Sequence, residues 1–168
     1  GIAAGVAGGS IEDMAPDRSL YPLDMAKARI EAAAEVAHSG EVSFVLTARA
    51  ENYLVGDPSL RHVIERLQAY QDAGADVLYA PGLTDIDEIA ELVRSVDRPI
   101  NVLAGLPGHT LTVDQLAAVG VKRISTGSAL AVAALGGFLK AAKEIRDQGS
   151  FTFTNDDPPY SDLTKLLG

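Results

Sequence analysis

Apolar runs alternate with amphipathic stretches along most of the chain. Three runs share one pattern, in which glycine and small residues lead into an apolar segment that ends in polar or turn residues: 3–13, 72–82 and 118–127. Each is typical of a helix closed by glycine and followed by a buried strand of a parallel sheet. Two more apolar runs, 42–49 and 98–105, predict two further strands.

The segments between these strands repeat apolar residues at helical spacing. Over 60–71 the apolar positions fall on one face. The opposite, outer face is predicted to carry Arg61, Glu65, Arg66 and Gln68. Similar patterns predict further helices over 23–37, 86–96 and 113–119. The alternation of five strands with helices indicates an α/β fold, either an open parallel sheet or part of a barrel.

The last long helix, 128–148, is apolar on nearly every side. Such a helix needs cover on more than one face. Two interpretations stay open: the helix is exchanged between subunits, or it is wedged between neighbours of its own chain. The tail over 149–168 is predicted to be irregular and on the surface as far as 163–167.

Composition narrows the class of protein. The 168 residues, 47% of them hydrophobic, are enough for one domain over 1–168 with a sizeable core. A net charge of −9, with Lys122 and Arg123 as the longest basic grouping, makes a nucleic-acid partner improbable. The absence of cysteine excludes disulfides, cysteine-ligated zinc and thiolate nucleophiles, and it favours a cytoplasmic location. No window reaches the length of a membrane span, so no membrane partner is expected.

Charged residues stand at the ends of the first two predicted strands. Glu12 and Asp13 end the first strand, and Arg49 and Glu51 end the second. In parallel α/β proteins ligands and catalytic groups gather at the carboxyl ends of strands. Strand alternation lets Glu12, and Arg49 with Glu51, point into one mouth. The alternatives are that the acidic pair caps the next segment and that the second pair is a structural ion pair.

Three later positions are candidates for substrate binding. Thr126 and Gly127 lie in the loop before the last helix, where backbone N–H groups could bind an anion, although a tight turn is the better explanation of this glycine. Asn101 could face the mouth or make a hydrogen bond at the start of its strand. Among the three histidines, only His109 lies in a strand-end loop where an acid or base could act.

Five blocks of the sequence carry a resemblance to a known family. They are GVAGGSIED, FVLTARAENYL, RLQAYQDAGADVLYAPGL, PINVLAG and GVKRISTGSALAVAAL, in that order. Together they resemble the isocitrate lyase and phosphoenolpyruvate mutase superfamily. The resemblance implies strands four to eight of a TIM (β/α)8 barrel followed by a C-terminal helix. It places the first three strands, with the direct magnesium ligands, outside the 168 residues.

The resemblance also implies a reaction. Glu12 matches the glutamate that holds Mg²⁺ through water, Arg49 the arginine that binds the substrate carboxylate or phosphoryl group, and Glu51 an acidic residue near it. The implied enzyme is a magnesium-dependent lyase or phosphonomutase-like protein. It would act on a small 2-oxo or 2-hydroxy carboxylate through an enolpyruvate-type intermediate. A homodimer or homotetramer with an exchanged final helix is expected.

Departures from the superfamily pattern limit this expectation. The loop after Glu12 and Asp13 reads MAPDRSLYPLD and lacks the lyase motif with its catalytic cysteine. Ala80 and Pro81 replace the histidine or glutamate that better-known members carry at the sixth strand. The chain therefore resembles a short-loop branch. Two alternatives remain: a catalytically incompetent truncated barrel that serves as a structural or oligomerisation module, and a phosphate-binding barrel of another family.

Overall fold

A computed structural model describes residues 2–155 and 160–167 of the chain. The five predicted strands form one parallel sheet: β1 (Gly8–Glu12), β2 (Val45–Arg49), β3 (Val77–Tyr79), β4 (Ile100–Leu103) and β5 (Arg123–Ser125). The helices are α1 (Leu23–His38), α2 (Leu60–Asp72), α3 (Ile86–Arg94), α4 (Val113–Ala118), α5 (Ala129–Gln148) and α6 (Tyr160–Leu167). Short 3-10 turns cover Ile2–Ala4, Asn52–Val55 and Thr152–Asn155.

The strands lie side by side in the order in which they occur in the chain. A right-handed crossover between each successive pair brings every connecting helix to the same face of the sheet. That arrangement belongs to barrels, whereas a doubly wound sheet reverses its strand order at a switch point. The sequence prediction of a parallel α/β sheet with alternating helices is confirmed.

The helix-covered face of the sheet holds the hydrophobic core. Leu46, Ala48 and Leu78 on the strands pack within one cluster with the apolar side of α2, where Val63 and Leu67 are fully buried. Helix α2 begins where the Ser59 hydroxyl accepts a hydrogen bond from the backbone N–H of His62, a standard N-cap. Residues that alternate with the core positions point to the opposite, helix-free face.

One glycine fixes the passage from α2 to β3. Gly74 has a φ of +98°, and a Cβ at this position would lie 2.9 Å from the Cβ of Ala34 on α1. Left-handed backbone and close helix contact both exclude a side chain here. These two constraints explain why a glycine ends α2 just before β3, as the sequence predicts.

The chain divides into two compact units, Gly1–Gly127 and Ser128–Gly168. The second contains α5, whose apolar side chains are largely exposed: Leu130, Val132, Leu135, Phe138 and Leu139. Within the tail, the turn over Thr152–Asn155 and helix α6 are more regular than the sequence predicts, and 156–159 of the predicted irregular stretch lie outside the described residues. The single domain over 1–168 and the exchange of the last helix stay predictions.

Candidate functional site

The ends of β1 and β2 meet through a shared guanidinium. Glu12 and Arg49 are register partners in the parallel ladder. The Nη1 atom of Arg49 lies 2.8 Å from Oε1 of Glu12, and its Nε donates to Oε1 of Glu51 at 2.6 Å. The structure therefore brings the three predicted residues Glu12, Arg49 and Glu51 together at the carboxyl edge of the sheet.

Glu51 is an unusual member of this group because its side chain is fully buried. Its Oε2 atom has no hydrogen-bond partner in the structure. Burial raises the pKa of the Glu51 carboxyl above its ordinary value of 4.5, the Arg49 guanidinium opposes that rise, and the charges of Glu12 and Asp13 add to it. Glu51 can therefore hold a proton on Oε2 at a higher pH than a solvated glutamate.

Asp13 is a buried anchor behind the site. Its Oδ1 accepts a hydrogen bond from the backbone N–H of Glu51 at 2.8 Å. Its Oδ2 accepts from the Tyr70 hydroxyl at 2.5 Å and lies 3.1 Å from Nη1 of Arg66. Burial, followed by the charge of Asp13, raises the pKa of the Tyr70 hydroxyl, which keeps it a donor. Asp13 thus joins the end of β1 to the residue after β2 and to α2.

Arg66 does not lie on the outer face of α2, as the sequence predicts. Its guanidinium turns inward to Asp13 and to the backbone carbonyl of Tyr21, because its long stem can cross the edge of the apolar face. Tyr70 is four residues further along the helix and also donates to Asp13. The sequence signal for this pair was an arginine and a tyrosine one turn apart on α2, while Asp13 was already identified as part of the charged end of the first strand.

The loop after β1 closes on itself. Arg18 has a φ of +67°, and the Asp17 carboxylate accepts hydrogen bonds from the backbone N–H and hydroxyl of Ser19. Met14 and Leu20 form an antiparallel bridge at its base. The Tyr21 ring lies under the Arg29 guanidinium at 4.6 Å, which is a packing contact. This compact hairpin is the short loop that the sequence predicts.

A second polar group lies on the helix-free face further along the sheet. Asn101 is buried, and its Oδ1 accepts from Nε of Arg123 at 2.9 Å while its Nδ2 donates to the Ser125 hydroxyl at 3.0 Å. The Nη2 atom of Arg123 donates to the Thr47 hydroxyl at 2.9 Å. Both ends of the Asn101 amide contact protein groups, and its assignment to substrate binding stays a prediction. Sequence analysis did not identify Arg123 as a site residue.

The remaining candidates lie apart from the Arg49 group. Gly127 has a φ of +51° and lies in the turn between β5 and α5, with Thr126 exposed beside it. This geometry matches the tight-turn alternative, and the anion-binding assignment of both residues stays a prediction. His109 is exposed, whereas His62 contacts Asp57 at 3.0 Å.

The carboxylate and imidazole side chains of the described residues do not form a complete metal site. Over residues 2–155 and 160–167, no group of three or more histidine, aspartate or glutamate side chains converges on a common point. Glu12, whose side chain is 43% exposed, offers carboxylate oxygen at the carboxyl edge. Because Mg²⁺ keeps several of its waters in proteins, this carboxylate suits a contact with the ion through water. The described residues do not supply a complete set of direct ligands. Among them there is also no helix able to cross a membrane.

Comparison with known proteins places this arrangement in context. The family model of phosphoenolpyruvate phosphomutase matches residues 1–146. The crystal structure of a Burkholderia cenocepacia J2315 protein assigned as a lyase/mutase is 52% identical, with a TM-score of 0.93 over 99% of this chain and 61% of that chain. An oxaloacetate decarboxylase of Bradyrhizobium sp. (strain BTAi1 / ATCC BAA-1182) is 30% identical over 86% of this chain and 51% of its own length.

A third relative was crystallised with ligands. Phosphonopyruvate hydrolase in complex with oxalate and Mg²⁺ is 26% identical, with a TM-score of 0.78 over 99% of this chain and 60% of that chain. The present chain spans between half and two thirds of the length of these three relatives. The predicted partial TIM barrel is confirmed, and the alternative of a phosphate-binding barrel from another family is set aside. The chain belongs to the phosphoenolpyruvate phosphomutase family, within the superfamily of phosphoenolpyruvate mutase and isocitrate lyase enzymes.

Proposed function

We propose that the full-length protein is a magnesium-dependent lyase or phosphonomutase-like enzyme. It changes a carbon–carbon or carbon–phosphorus bond next to the 2-oxo group of a small carboxylate. The observation that carries this proposal is the placement of Arg49 between Glu12 and Glu51 at the carboxyl edge of β1 and β2. A guanidinium held from two sides is a preorganised fork for a planar carboxylate or a phosphoryl group.

Each of the three residues has a separate task in this proposal. Arg49 uses its remaining N–H donors to bind the substrate acid group, since only its Nε and Nη1 contact carboxylates within residues 2–155 and 160–167. Glu51 fixes the guanidinium through Nε and can hold a proton on its unpartnered Oε2. Glu12, the more exposed carboxylate, faces the mouth and remains available to water.

Magnesium enters this proposal through Glu12. The carboxylate would hold the ion through a water molecule, and the direct ligands would come from strands outside the 168 residues. When bound, Mg²⁺ supplies positive charge that stabilises a developing enolate oxygen. Support comes from the related phosphonopyruvate hydrolase, whose crystals contain both oxalate and Mg²⁺.

Binding of oxalate to the full-length protein tests the proposal. Oxalate has the shape and charge of enolpyruvate without its reactive bond. Together with Mg²⁺ it should raise the melting temperature of the wild-type protein, because a ligand that binds only the native state stabilises it. Arg49→Met should abolish the rise. Arg94→Met, at an exposed position in the last turn of α3, is the matched control and should keep it.

Two results would contradict the proposal. One is a wild-type protein that Mg²⁺ and oxalate do not stabilise. The other is equal stabilisation of the wild type and Arg49→Met. If Arg49→Met does not fold, Arg49→Lys replaces it; lysine keeps the charge without the planar fork and should bind oxalate more weakly than the wild type.

The exposed apolar side chains of α5 favour a second candidate function, that of an oligomerisation module. Leu130 and Phe138 are 73% and 67% exposed. Exposed apolar patches of this kind mark interaction sites. We propose that another copy of the chain covers them in a homodimer or homotetramer. Sedimentation of the full-length protein should show an oligomer that Phe138→Asp weakens, and a monomeric wild type would overturn this candidate.

A further inference from the structure

The helix-free face of the sheet carries a row of polar side chains, one from each strand. Register pairs link Glu12 to Arg49, Arg49 to Tyr79, Tyr79 to Asn101 and Asn101 to Arg123. Residues paired in this way point to the same side of a parallel sheet. Two guanidinium groups therefore share one face, with Tyr79 and Asn101 between them.

The two guanidinium groups differ in their charge balance. Arg49 contacts the carboxylates of Glu12 and Glu51. Arg123 contacts only neutral oxygens, the Asn101 amide and the Thr47 hydroxyl, and within residues 2–155 and 160–167 no carboxylate pairs with it. Two of the five N–H donors of the Arg123 guanidinium make these contacts. Arg123 thus carries a positive charge that no carboxylate of the described residues balances, and its other N–H donors can bind a ligand.

Hydrogen bonds to two buried side chains fix the position of the Arg123 guanidinium. Asn101 is 2% exposed and holds Nε, and Asn101 is itself held by its donation to Ser125. Thr47 is 2% exposed and holds Nη2. The Arg123 side chain itself is exposed, so two buried side chains orient its guanidinium while its other N–H donors stay accessible to an anion. These contacts make Asn101 and Thr47 positioning residues for Arg123.

The distance to Arg49 suits a small molecule with two acid groups. Thr47, which contacts Arg123, lies two residues before Arg49 on the same face of β2, about 7 Å away along the strand. The Tyr79 ring lies between, with the Arg49 guanidinium 5.2 Å from its centroid.

We propose that Arg123 binds the second acid group, a carboxylate or phosphonate, of a substrate whose 2-oxo acid end lies at Arg49. This inference rests on the proposed function and assigns its specificity: the preferred substrate is a dianion with acid groups at both ends. A substrate with one acid group would use only the Arg49 end. Asn101 would then act on the substrate through Arg123.

Calorimetric titration of the full-length protein with Mg²⁺ and two ligands tests the inference. Oxalate occupies only the enolpyruvate end, whereas 3,3-difluorooxaloacetate carries a distal carboxylate as well. Arg123→Gln should weaken binding of the difluoro compound by about 10- to 100-fold, the size expected for lost hydrogen bonds to a charged group, and leave oxalate binding within about twofold. Lys122→Gln removes the same charge from the neighbouring exposed residue and should change neither.

The outcomes separate the two proposals. If the wild type binds no oxalate, the proposed function fails and this inference fails with it. If oxalate binds but Arg123→Gln weakens both ligands equally, or neither, only the role of Arg123 is overturned. If Arg123→Gln does not fold, Arg123→Lys is measured instead. It should weaken the difluoro compound alone, and unchanged binding of both ligands would refute the role.

Discussion

Replacing Tyr70 by phenylalanine tests whether Asp13 anchors the two charged strand ends. The substitution removes a single oxygen atom and leaves the buried ring in place. That oxygen donates to Oδ2 of Asp13 at 2.5 Å and accepts from Nη1 of Arg66 at 3.1 Å. Asp13 would keep its bonds to the Glu51 backbone and to Arg66.

The expected cost follows from this geometry. A hydrogen bond to a charged group contributes about 1.5 to 3 kcal/mol, and here the donor is fully buried and the acceptor 3% exposed. We therefore expect Tyr70→Phe to lower the free energy of unfolding by about 2 kcal/mol. In a protein of about 150 to 250 residues that corresponds to a fall in Tm of about 4 to 8 °C, and the fall is smaller in a longer chain. Loss of the anchor should also weaken binding at Arg49.

Urea unfolding of the full-length protein measures the change, with Tyr53→Phe as the matched control. The Tyr53 hydroxyl donates to Oε2 of Glu88 at 3.0 Å, in a half-buried position. Its loss should cost less than about 1 kcal/mol because water can replace the partner. If Tyr70→Phe lowers the unfolding midpoint no more than Tyr53→Phe does, Asp13 is not the anchor of the two strand ends.

Three further predictions concern single residues. Because the pKa of Glu51 is raised in the native state, the native protein binds more protons than the unfolded chain above pH 4.5. The free energy of unfolding of the wild type should therefore fall, relative to that of Glu51→Gln, as the pH rises through the raised pKa. A difference between the two proteins that does not change with pH would contradict this. Gly74→Ala should lower the free energy of unfolding in urea more than Gly56→Ala does. Both glycines have a positive φ, but only at Gly74 would the added Cβ lie within 3 Å of a side chain of α1. Equal losses of unfolding free energy would contradict a steric effect. Asp85→Ala should lower the free energy of unfolding by about 1 kcal/mol, because the Asp85 carboxylate caps α3 by accepting from two backbone N–H groups. Asp87→Ala, measured in the same assay, should lower it less. The reverse order would be inconsistent with capping.

Much of the fold was predictable from local patterns. Continuous apolar runs located all five strands, and helix α2 buries Val63, Leu67 and Tyr70 as its helical spacing predicts. Gly74 marked a helix end because left-handed backbone at that point suits only glycine. These features depend on neighbours in the sequence.

Contacts between distant residues were not predictable in the same way. Arg66 was assigned to the outer face because a helical pattern does not show that its stem can reach Asp13. Arg123 was noticed only as half of a basic pair. Its contact with Thr47, 76 residues away, depends on the stagger of the strands across the sheet, which periodicity does not encode. The short loop, by contrast, was evident from its length.

In the proposed reaction, Arg49 and Mg²⁺ act together on a 2-oxo acid. The most direct measurement is consumption of oxaloacetate and, separately, of phosphonopyruvate by the full-length protein, each corrected for a protein-free sample with the same Mg²⁺. We predict consumption of at least one of the two above that background, abolished by a chelator and by Arg49→Met but retained by Arg94→Met. Consumption of neither compound above background, or consumption that survives Arg49→Met, would contradict this joint role of Arg49 and Mg²⁺.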